Sequence, residues 1–332
     1  MRDAKTPLAT DWVDTVKGRS AAGKSSGMTD QALLAARSIL EAAVPGSVHV
    51  HTVFDEVTFT ATHIVSDPAT RKAAIIDSVL DFDPASGRTS TASADRVIAY
   101  VEAEGLTTEW LLETHVHADH LSAAPYLQAR LGGTVAIGRE ILTVQSVFGK
   151  IFNEGPDFLR DGSQFGRLLR DGERFRVGSL EAMALHTPGH TPADMAYVIG
   201  DAAFIGDTLF MPDYGTARVD FPGGDARTLF RSIHRLLALP DHTRVFLCHD
   251  YKAPGRDTFV WETTVGAQRR DNVHVHPGIT EAAFVAMREA RDATLGMPRL
   301  ILPALQINMR AGRLPKPEAN GTRYLKLPLN SL

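Results

Sequence analysis

The sequence predicts an α/β fold of the α+β type, in which two mixed β-sheets pack against each other and helices cover their outer faces. Short runs rich in β-branched and aliphatic residues alternate with amphipathic segments long enough to form helices. Several strand-like runs also follow one another closely, as in MAYVIG (195–200) and AAFIGD (202–207). Closely spaced strands pair as hairpins, which argues against a purely parallel, doubly wound sheet.

The composition indicates a globular protein that acts on small molecules. Of the 332 residues, 44% are hydrophobic and 22% are charged, and the formal net charge is −4. This charge provides neither a basic field for nucleic acid nor a polybasic patch for a membrane, and no apolar run approaches the length of a membrane span. The one cysteine, Cys248, excludes an intramolecular disulfide and a thiolate zinc site, so we expect a cytoplasmic protein; a homo-oligomer is compatible with the sequence.

Residues 1–28 are rich in Ser, Gly, Ala and Lys, a composition that predicts a disordered leader. Within it, GRSAAGKS (18–25) matches the phosphate-loop pattern G-x-x-x-x-G-K-[ST], which would indicate a nucleotide site. The pattern binds phosphate only when a core strand enters the loop and a helix leaves it. The preceding WVDTV (12–16) is too short and polar for a core strand, so we interpret the match as a small-residue linker.

The elements after the leader are predicted from periodicity, β-branched runs and helix-ending glycines. Thr29 is expected to cap a helix over residues 30–43, within an N-terminal helical segment at 29–47. The next elements, in order, are strands at VTFTATHIV (57–65) and AAIID (73–77), a helix at ADRVIAYVEAEG (94–105), the buried strand WLLET (110–114), a helix at SAAPYLQARLGG (122–133), the strand TVAIG (134–138) and a helix at EILTVQSVFGKIF (140–152).

The second half of the chain begins with more closely spaced strands. An Asp-Gly pair in RLLRDGERFRVG (167–178) predicts a hairpin or tight turn. We expect one domain over residues 48–332, including a C-terminal extension from about residue 266 that is apolar enough to pack. Its remaining predicted elements are the strand LEAMALHT (180–187), the two strands named above, the helix RTLFRSIHRLLAL (227–239) and the strand TRVFLCHD (243–250).

The stretch LLETHVHADH (111–120) places three histidines and an aspartate directly after a buried strand. His115 and His117 lie two residues apart on an extended loop, so both imidazoles can project to the same side. Asp119 and His120 begin the turn into the next helix. This one loop therefore offers two sets of metal ligands.

Three further candidate ligands lie at strand ends next to turn residues. They are His190 in HTPGHTP, Asp207 in FIGDTLF and His249 in FLCHDY. Taken singly, they could be a turn histidine, a helix cap and a buried core histidine. Rigid strand ends are, however, where a preorganised site is best built, and the three together with the histidine loop indicate a metal centre.

The order His-x-His-x-Asp-His, then His, Asp and His at strand ends, is the ligand order of the metallo-β-lactamase superfamily, which the chain resembles over about residues 48–265. Asp77, at the end of AAIID, matches the aspartate that supports the ligands in that superfamily. The resemblance implies the metallo-β-lactamase αββα sandwich, with two mixed sheets between outer helices.

Residues between the ligands resemble one branch of the superfamily, the bacterial persulfide dioxygenases, also called sulfur dioxygenases. The C-terminal segment resembles the extension of a bacterial subgroup that often carries a separate N-terminal domain; a short leader stands in its place here. Cys248 occupies a position where Gly is commoner, and we interpret it as a small buried residue and not as a nucleophile. The stretches that carry the resemblance are IIDSVLDFDPASGRTS (75–90), ETHVHADHLSAAPYL (113–127), GTARVDFPGGD (215–225) and HDY (249–251).

This resemblance implies one iron(II) per chain, held by His115, His190 and Asp207, and a reaction in which glutathione persulfide, or a similar thiol persulfide, is oxidised by O2 to sulfite and thiol. Two imidazoles and one carboxylate on one face of an octahedral ion leave positions for substrate and oxygen. The residues that would orient these ligands by hydrogen bonds, or else hold a second metal, are His117, Asp119, His120, His249 and Asp77.

Two residues are candidates for binding the substrate. Arg218 matches an arginine of the family motif and could anchor a glutathione carboxylate; the competing interpretation is a salt bridge with a neighbour such as Asp220. Tyr251, after the His-Asp pair, could hydrogen-bond the substrate or hold the metal loop.

Two other functions remain open at this point. The same ligands would serve a zinc hydrolase of thioesters or esters, similar to glyoxalase II, with two Zn(II) per chain and a metal-bridging hydroxide. A metal-free sulfide-sensing or scaffold protein that kept the fold would be a third possibility.

Overall fold

The computed structural model describes residues 30–330, so the predicted leader and the phosphate-loop match lie outside the described residues. The predicted helix cap at Thr29 is wrong by one position. Asp30 caps the first helix, because its carboxylate accepts a hydrogen bond from the Leu33 N–H at 2.9 Å. None of the helices within 30–330 has both the length and the apolar character required to cross a bilayer.

The described chain interleaves helices with runs of one to five consecutive strands, and it ends with three helices. In order, the strands are β1 (His49–Asp55), β2 (Thr60–Ser66), β3 (Lys72–Ile76), β4 (Val79–Asp83), β5 (Arg88–Ser90), β6 (Thr107–Leu112), β7 (Leu121–Ser122), β8 (Thr134–Gly138), β9 (Arg167–Leu169), β10 (Arg174–Val177), β11 (Leu180–His186), β12 (Met195–Ile199), β13 (Ala202–Phe204), β14 (Arg244–Phe246) and β15 (Glu262–Thr264). The helices are α1 (Gln31–Ala42), α2 (Ala92–Ala103), α3 (Ala124–Leu131), α4 (Ile141–Ile151), α5 (Ala226–Leu237), α6 (Val265–Asp271), α7 (Glu281–Asp292) and α8 (Ile301–Asn308), with a 3₁₀ turn at Gly206–Thr208 after β13.

Two six-stranded mixed sheets form the centre of the molecule. The first has the spatial order β1-β2-β3-β6-β8-β9, antiparallel from β1 to β3 and parallel from β3 to β9. The second runs from β10 to β15 in chain order and is antiparallel except between β13 and β14. A small third sheet joins β5, β4 and β7. The predicted mixed sheets are therefore confirmed.

Helices cover both outer faces of the paired sheets. Between the sheets lies an apolar layer that includes Ile76 and Leu112 from the first sheet and Phe204 and Phe246 from the second. A second cluster packs α2, α3, α4 and α8 on the outside of the first sheet, and a third packs α1, α5 and α7 on the second. The layer order is helix, sheet, sheet, helix, as predicted. Because both faces of β3 are covered, its sequence KAAII is almost continuously apolar.

The sequence predicted either a hairpin or a tight turn at Asp171-Gly172, and the structure has the tight turn without the hairpin. The turn is closed by the hydrogen bond from the Glu173 N–H to the Arg170 carbonyl at 3.0 Å. The strands on its two sides belong to different sheets, since β9 pairs with β8 and β10 pairs with β11. Turn chemistry specifies a reversal of the chain but not the sheet that each strand joins.

Asp67 lies in the turn between β2 and β3 and links the two large sheets. Its carboxylate accepts hydrogen bonds from the Ser179 N–H and hydroxyl, both at 2.7 Å, and from the Thr70 hydroxyl at 2.7 Å. The β2–β3 turn is thereby tied to the β10–β11 turn. Burial opposes ionisation, but these hydrogen bonds prevail and lower the pKa of Asp67 to about 2.

We expect Asp67→Asn to lower the free energy of unfolding at pH 7 by about 1–3 kcal/mol. Oδ2 accepts these three hydrogen bonds and Oδ1 accepts a fourth, from the Ala69 N–H at 2.9 Å, so the NH2 group of an amide would face a donor in either orientation. The pKa of Asp67 is lower in the folded state than its ordinary 3.8, so its stabilisation is complete above about pH 4 and is lost as the pH falls towards 2. In urea unfolding at several pH values, the difference between wild type and variant should shrink over that interval. A difference that does not change with pH would contradict this account.

Candidate metal centre

The predicted metal ligands come together at one edge of the two sheets. Each follows the end of a strand: Asp77 follows β3, the loop 115–120 follows β6, and His249 follows β14. His190 lies on the loop between β11 and β12, and Asp207 lies in the 3₁₀ turn after β13. Strand ends from both sheets thus supply one contiguous group of imidazoles and carboxylates.

His115, His190 and Asp207 form the first cluster, and all three are buried. The Oδ2 atom of Asp207 lies 3.9 Å from His115 Nε2 and 3.7 Å from His190 Nε2. The Nδ1 atom of His190 is 2.7 Å from the Arg218 carbonyl, so Nδ1 carries the proton and the lone pair of Nε2 faces the cluster. Burial, and then the neighbouring His117, lower the pKa of His115 well below its usual value and favour the neutral imidazole that a metal needs.

This cluster fits a metal ion. Within the described residues, His115 Nε2 is a buried polar atom without a hydrogen-bond partner, and so is Asp207 Oδ1, the oxygen that faces His249. Such atoms are costly unless something satisfies them. Two imidazole nitrogens and a carboxylate that converge from three loops are a donor set suited to a divalent first-row metal.

His117, Asp119, His120 and His249 form a second cluster, whose ligand atoms lie within 4.8 Å of one another. Asp119 Oδ2 is 3.1 Å from His120 Nδ1 and 3.4 Å from His249 Nε2. His249 Nε2 is also 3.4 Å from Asp207 Oδ1. Asp207 therefore stands between the clusters, with one oxygen towards each, and the donor set for a second metal is present beside the first.

Asp77 holds the histidine loop in place through contacts with Thr114 and His117. Its carboxylate accepts hydrogen bonds from the Thr114 N–H and hydroxyl, both at 2.8 Å, and lies 3.0 Å from His117 Nε2. Burial opposes the charged form of His117, but the Asp77 carboxylate prevails and raises the pKa of His117 well above its ordinary value. Asp77 thus fixes the ring of His117 so that its Nδ1 atom is left without a hydrogen-bond partner in the described structure.

Gly206 allows the 3₁₀ turn that carries Asp207 to lie close to Thr114. Its φ of +52° is a conformation that residues with a side chain rarely adopt. A Cβ at this position would lie 2.7 Å from the Thr114 hydroxyl oxygen, which is closer than van der Waals contact. The missing side chain lets Asp207 reach the loop that carries His115.

Two supporting residues escaped the sequence analysis. Glu113 accepts a hydrogen bond from the Ser122 hydroxyl at 2.5 Å, and its other oxygen lies 3.4 Å from His117 Nε2. The sequence feature that could have identified Glu113 is its position in the motif, two residues before His115. Asn308 donates to the carbonyls of His117 and His120 from the far end of the chain, and no local pattern marks it.

The structure places the two predicted substrate-binding residues beside the centre. The guanidinium of Arg218 forms an ion pair with Asp220 and donates to the Gly296 carbonyl at 2.9 Å, which matches the competing interpretation. The ring of Tyr251 stacks on that of His249, with centroids 5.8 Å apart, and is 37% exposed. Binding of substrate by either residue stays a prediction.

Cys248 is buried next to the second cluster, within 4.8 Å of donor atoms of Asp207 and His249. Burial, and then the charges of Asp77 and Asp207, raise the pKa of its thiol well above the usual value. These surroundings favour the uncharged thiol and fit its interpretation as a small buried residue.

Comparison with known proteins places these features in a family. The family model of the metallo-beta-lactamase superfamily matches residues 67–249. A probable metallo-hydrolase of Burkholderia pseudomallei is 59% identical over 84% of this chain and 98% of its own length. The glyoxylase B2 of Dictyostelium discoideum is 48% identical over 84% of this chain and 97% of its own length.

Two proteins that carry the name ETHE1 are similar at lower identity. The mitochondrial persulfide dioxygenase ETHE1 of Homo sapiens is 28% identical over 78% of this chain and 87% of its own length. The crystal structure of ETHE1 from Myxococcus xanthus superposes with a TM-score of 0.64 and 31% identity, covering 80% of this chain and 100% of that one. The match of the family model contains every candidate ligand from Asp77 to His249, and the chain belongs to the metallo-beta-lactamase superfamily.

Proposed function

We propose that the protein is a persulfide dioxygenase that uses one iron(II) per chain to oxidise glutathione persulfide or a similar thiol persulfide. The balanced reaction is RSSH + O2 + H2O → RSH + SO3²⁻ + 2H⁺. The observation that carries the proposal is the buried cluster of His115, His190 and Asp207, whose donor atoms converge as two imidazoles and one carboxylate. The similarity to proteins named ETHE1 supports it.

Iron(II) in such a site would supply the redox chemistry with O2, since this donor set leaves coordination positions free. The chain itself holds the ligands in place. The Arg218 carbonyl fixes the tautomer of His190, and the Thr114 hydroxyl lies 3.0 Å from His115 Nδ1. With the rings held in this way, the site needs little reorganisation when the metal binds.

The second cluster would orient water in this mechanism. Asp119 is its most exposed member, with 26% of its side chain accessible, and lies between His120 and His249. Burial opposes its charged form, but His249 and then His120 prevail by charge and hydrogen bonding and lower the pKa of Asp119 well below its usual value. Because such a carboxylate is a weak base, it would hold the water that cleaves the S–S bond by accepting a hydrogen bond from it.

The substrate's carrier thiol would lie at the open side of the cluster. Tyr251 forms part of an aromatic wall with Phe59, Phe210 and Tyr214, whose ring centroids lie 5.3–5.6 Å from its own. A glutathione carboxylate would bind Arg218 by competing with Asp220 for the guanidinium, which is a bidentate partner for carboxylates.

The test is metal analysis followed by oxygen consumption. Protein loaded anaerobically with iron(II) should contain about one iron per chain, and with glutathione persulfide it should consume O2 and form sulfite in equal amounts. The same protein loaded with zinc should consume none. No O2 uptake by a preparation that contains iron would refute the proposal.

A zinc hydrolase of thioesters or esters is the second candidate, and one observation favours it. The second cluster offers four further donors, with Asp207 positioned between two metal sites. The name of the Burkholderia relative, a probable metallo-hydrolase, agrees with hydrolysis. This candidate predicts two zinc ions per chain and cleavage of S-lactoylglutathione without O2.

A further inference from the structure

Helix α8 ends directly against the loop that carries the predicted metal ligands. The helix lies outside the segment that the family model matches, 67–249. Its last residue, Asn308, is buried, and its side chain makes three hydrogen bonds. The amide nitrogen donates to the carbonyls of His117 at 2.9 Å and His120 at 2.8 Å, and the amide oxygen accepts from the Ser122 N–H at 2.9 Å.

These three bonds fix the backbone of the loop. One planar amide ties together the carbonyls of two residues that stand three positions apart, with Asp119 between them. On the same segment, the rings of His117 and His120 lie with centroids 4.2 Å apart and planes tilted by 34°. A rotation of this short segment would move three donor side chains together.

Asn308 is also connected to His117 indirectly, through Ser122 and Glu113. The Ser122 N–H donates to the side chain of Asn308, and the Ser122 hydroxyl donates to Glu113 at 2.5 Å. The other oxygen of Glu113 lies 3.4 Å from His117 Nε2. Asn308 thus acts on both the backbone of His117 and the carboxylate beside its ring.

The end of α8 is itself firmly seated, which makes it suitable as a support. Gln145 donates to the Met309 carbonyl at 2.9 Å, and Met309 is fully buried. Gly312 has a φ of +78°, and a Cβ there would lie 2.8 Å from the Ser122 carbonyl, so the chain passes close to β7. Asn308 therefore cannot drift without displacing core residues.

We propose that Asn308 is a positioning residue of the metal centre, through which the C-terminal helix α8 sets the geometry of His117, Asp119 and His120. The inference rests on the proposed function only in requiring that a metal binds at this centre. The ring of His117 packs against that of the predicted iron ligand His115, with centroids 4.1 Å apart, so the geometry of the loop acts on the first cluster as well as on the second. It does not depend on which substrate is turned over.

The test compares two buried amides on the same helix. Gln306, two residues before Asn308, is also buried, but it bonds Leu302 and Lys326 and does not touch the loop. Asn308→Leu keeps the branched shape of the side chain and Gln306→Met keeps its length, and each removes one amide without a change in charge. Cobalt(II) serves as the probe, because its visible absorption reports coordination geometry, and its Kd is measured by competition with a chelator.

Both variants should unfold at lower urea concentration than wild type. Asn308→Leu alone should bind cobalt(II) about 10–100-fold more weakly, the range usual for loss of a residue that orients ligands, and should change the absorption spectrum. If Asn308→Leu does not fold, Asn308→Asp serves the same purpose, since it keeps the acceptor for Ser122 and loses the amide donors.

Wild-type affinity and spectrum in the Asn308 variant, with the same loss of stability as Gln306→Met, would overturn the inference. Wild-type protein that binds cobalt(II), but does not oxidise persulfide when loaded with iron, would refute the proposed function and leave this comparison valid. Failure of wild type to bind cobalt(II) would overturn both.

Discussion

Asp207→Ala is expected to remove bound metal and to lower activity by more than about 100-fold, beyond what loss of a residue that only orients a ligand costs. Asp207 contributes the one carboxylate of the first cluster, and its second oxygen faces His249. No other carboxylate of the described chain stands between His115 and His190 in that cluster. Metal analysis and O2 consumption with glutathione persulfide, on protein loaded in parallel with wild type, are the measurements.

The control for Asp207→Ala is His120→Ala, a ligand-type residue of the second cluster only. With one iron per chain, wild type and His120→Ala both retain one metal, and Asp207→Ala retains none. With two metals, wild type contains two and His120→Ala one. A variant without Asp207 that keeps its full metal content and its activity would show that the first cluster is not the metal site.

The strand ends that carry the ligands could be predicted from sequence because each depends on a local pattern. AAIID, WLLET and FLCHD each end an apolar run with a polar residue, and parallel or mixed sheets gather such ends at one edge. The edge strand β1 was missed because HVHTVFD has neither a continuous apolar run nor strict alternation, and the strand is mostly half-exposed. The C-terminal helices α6 to α8 were missed as elements, although packing of that segment was expected.

The supports of the site were harder to predict than its ligands. Asn308 contacts residues 188 and 191 positions away, and a single asparagine at a helix end carries no sign of such a partner. The ion pair of Arg218 with Asp220 was one of the two interpretations that the sequence left open for Arg218, since the two residues are only two positions apart. What remained unpredictable is the long-range contact, since only the folded sheets bring its two ends together.

Asp77→Asn is expected to destabilise the protein by about 3 kcal/mol, because it removes the nearer of the two carboxylates beside the buried ring of His117, the one that most raises its pKa. The NH2 group of the new amide would also face either the Thr114 hydroxyl or the Thr114 N–H. Both of these groups donate to Asp77 in the wild type, so two donors would meet. With the ring of His117 released, metal affinity should fall about 10–100-fold. Urea unfolding of the metal-free protein and chelator competition measure the two effects separately.

Asp67→Asn is the matched control for Asp77→Asn, because the same chemistry occurs there without a metal nearby. Both aspartates are buried at strand ends and accept hydrogen bonds from the N–H and hydroxyl of one Ser or Thr, Ser179 for Asp67 and Thr114 for Asp77. Only Asp77 also contacts a histidine of the cluster. If both variants lose stability and only Asp77→Asn loses metal affinity, then Asp77 acts on the centre through His117. An equal loss of metal affinity in both variants would instead mean that the centre weakens whenever the sandwich is destabilised.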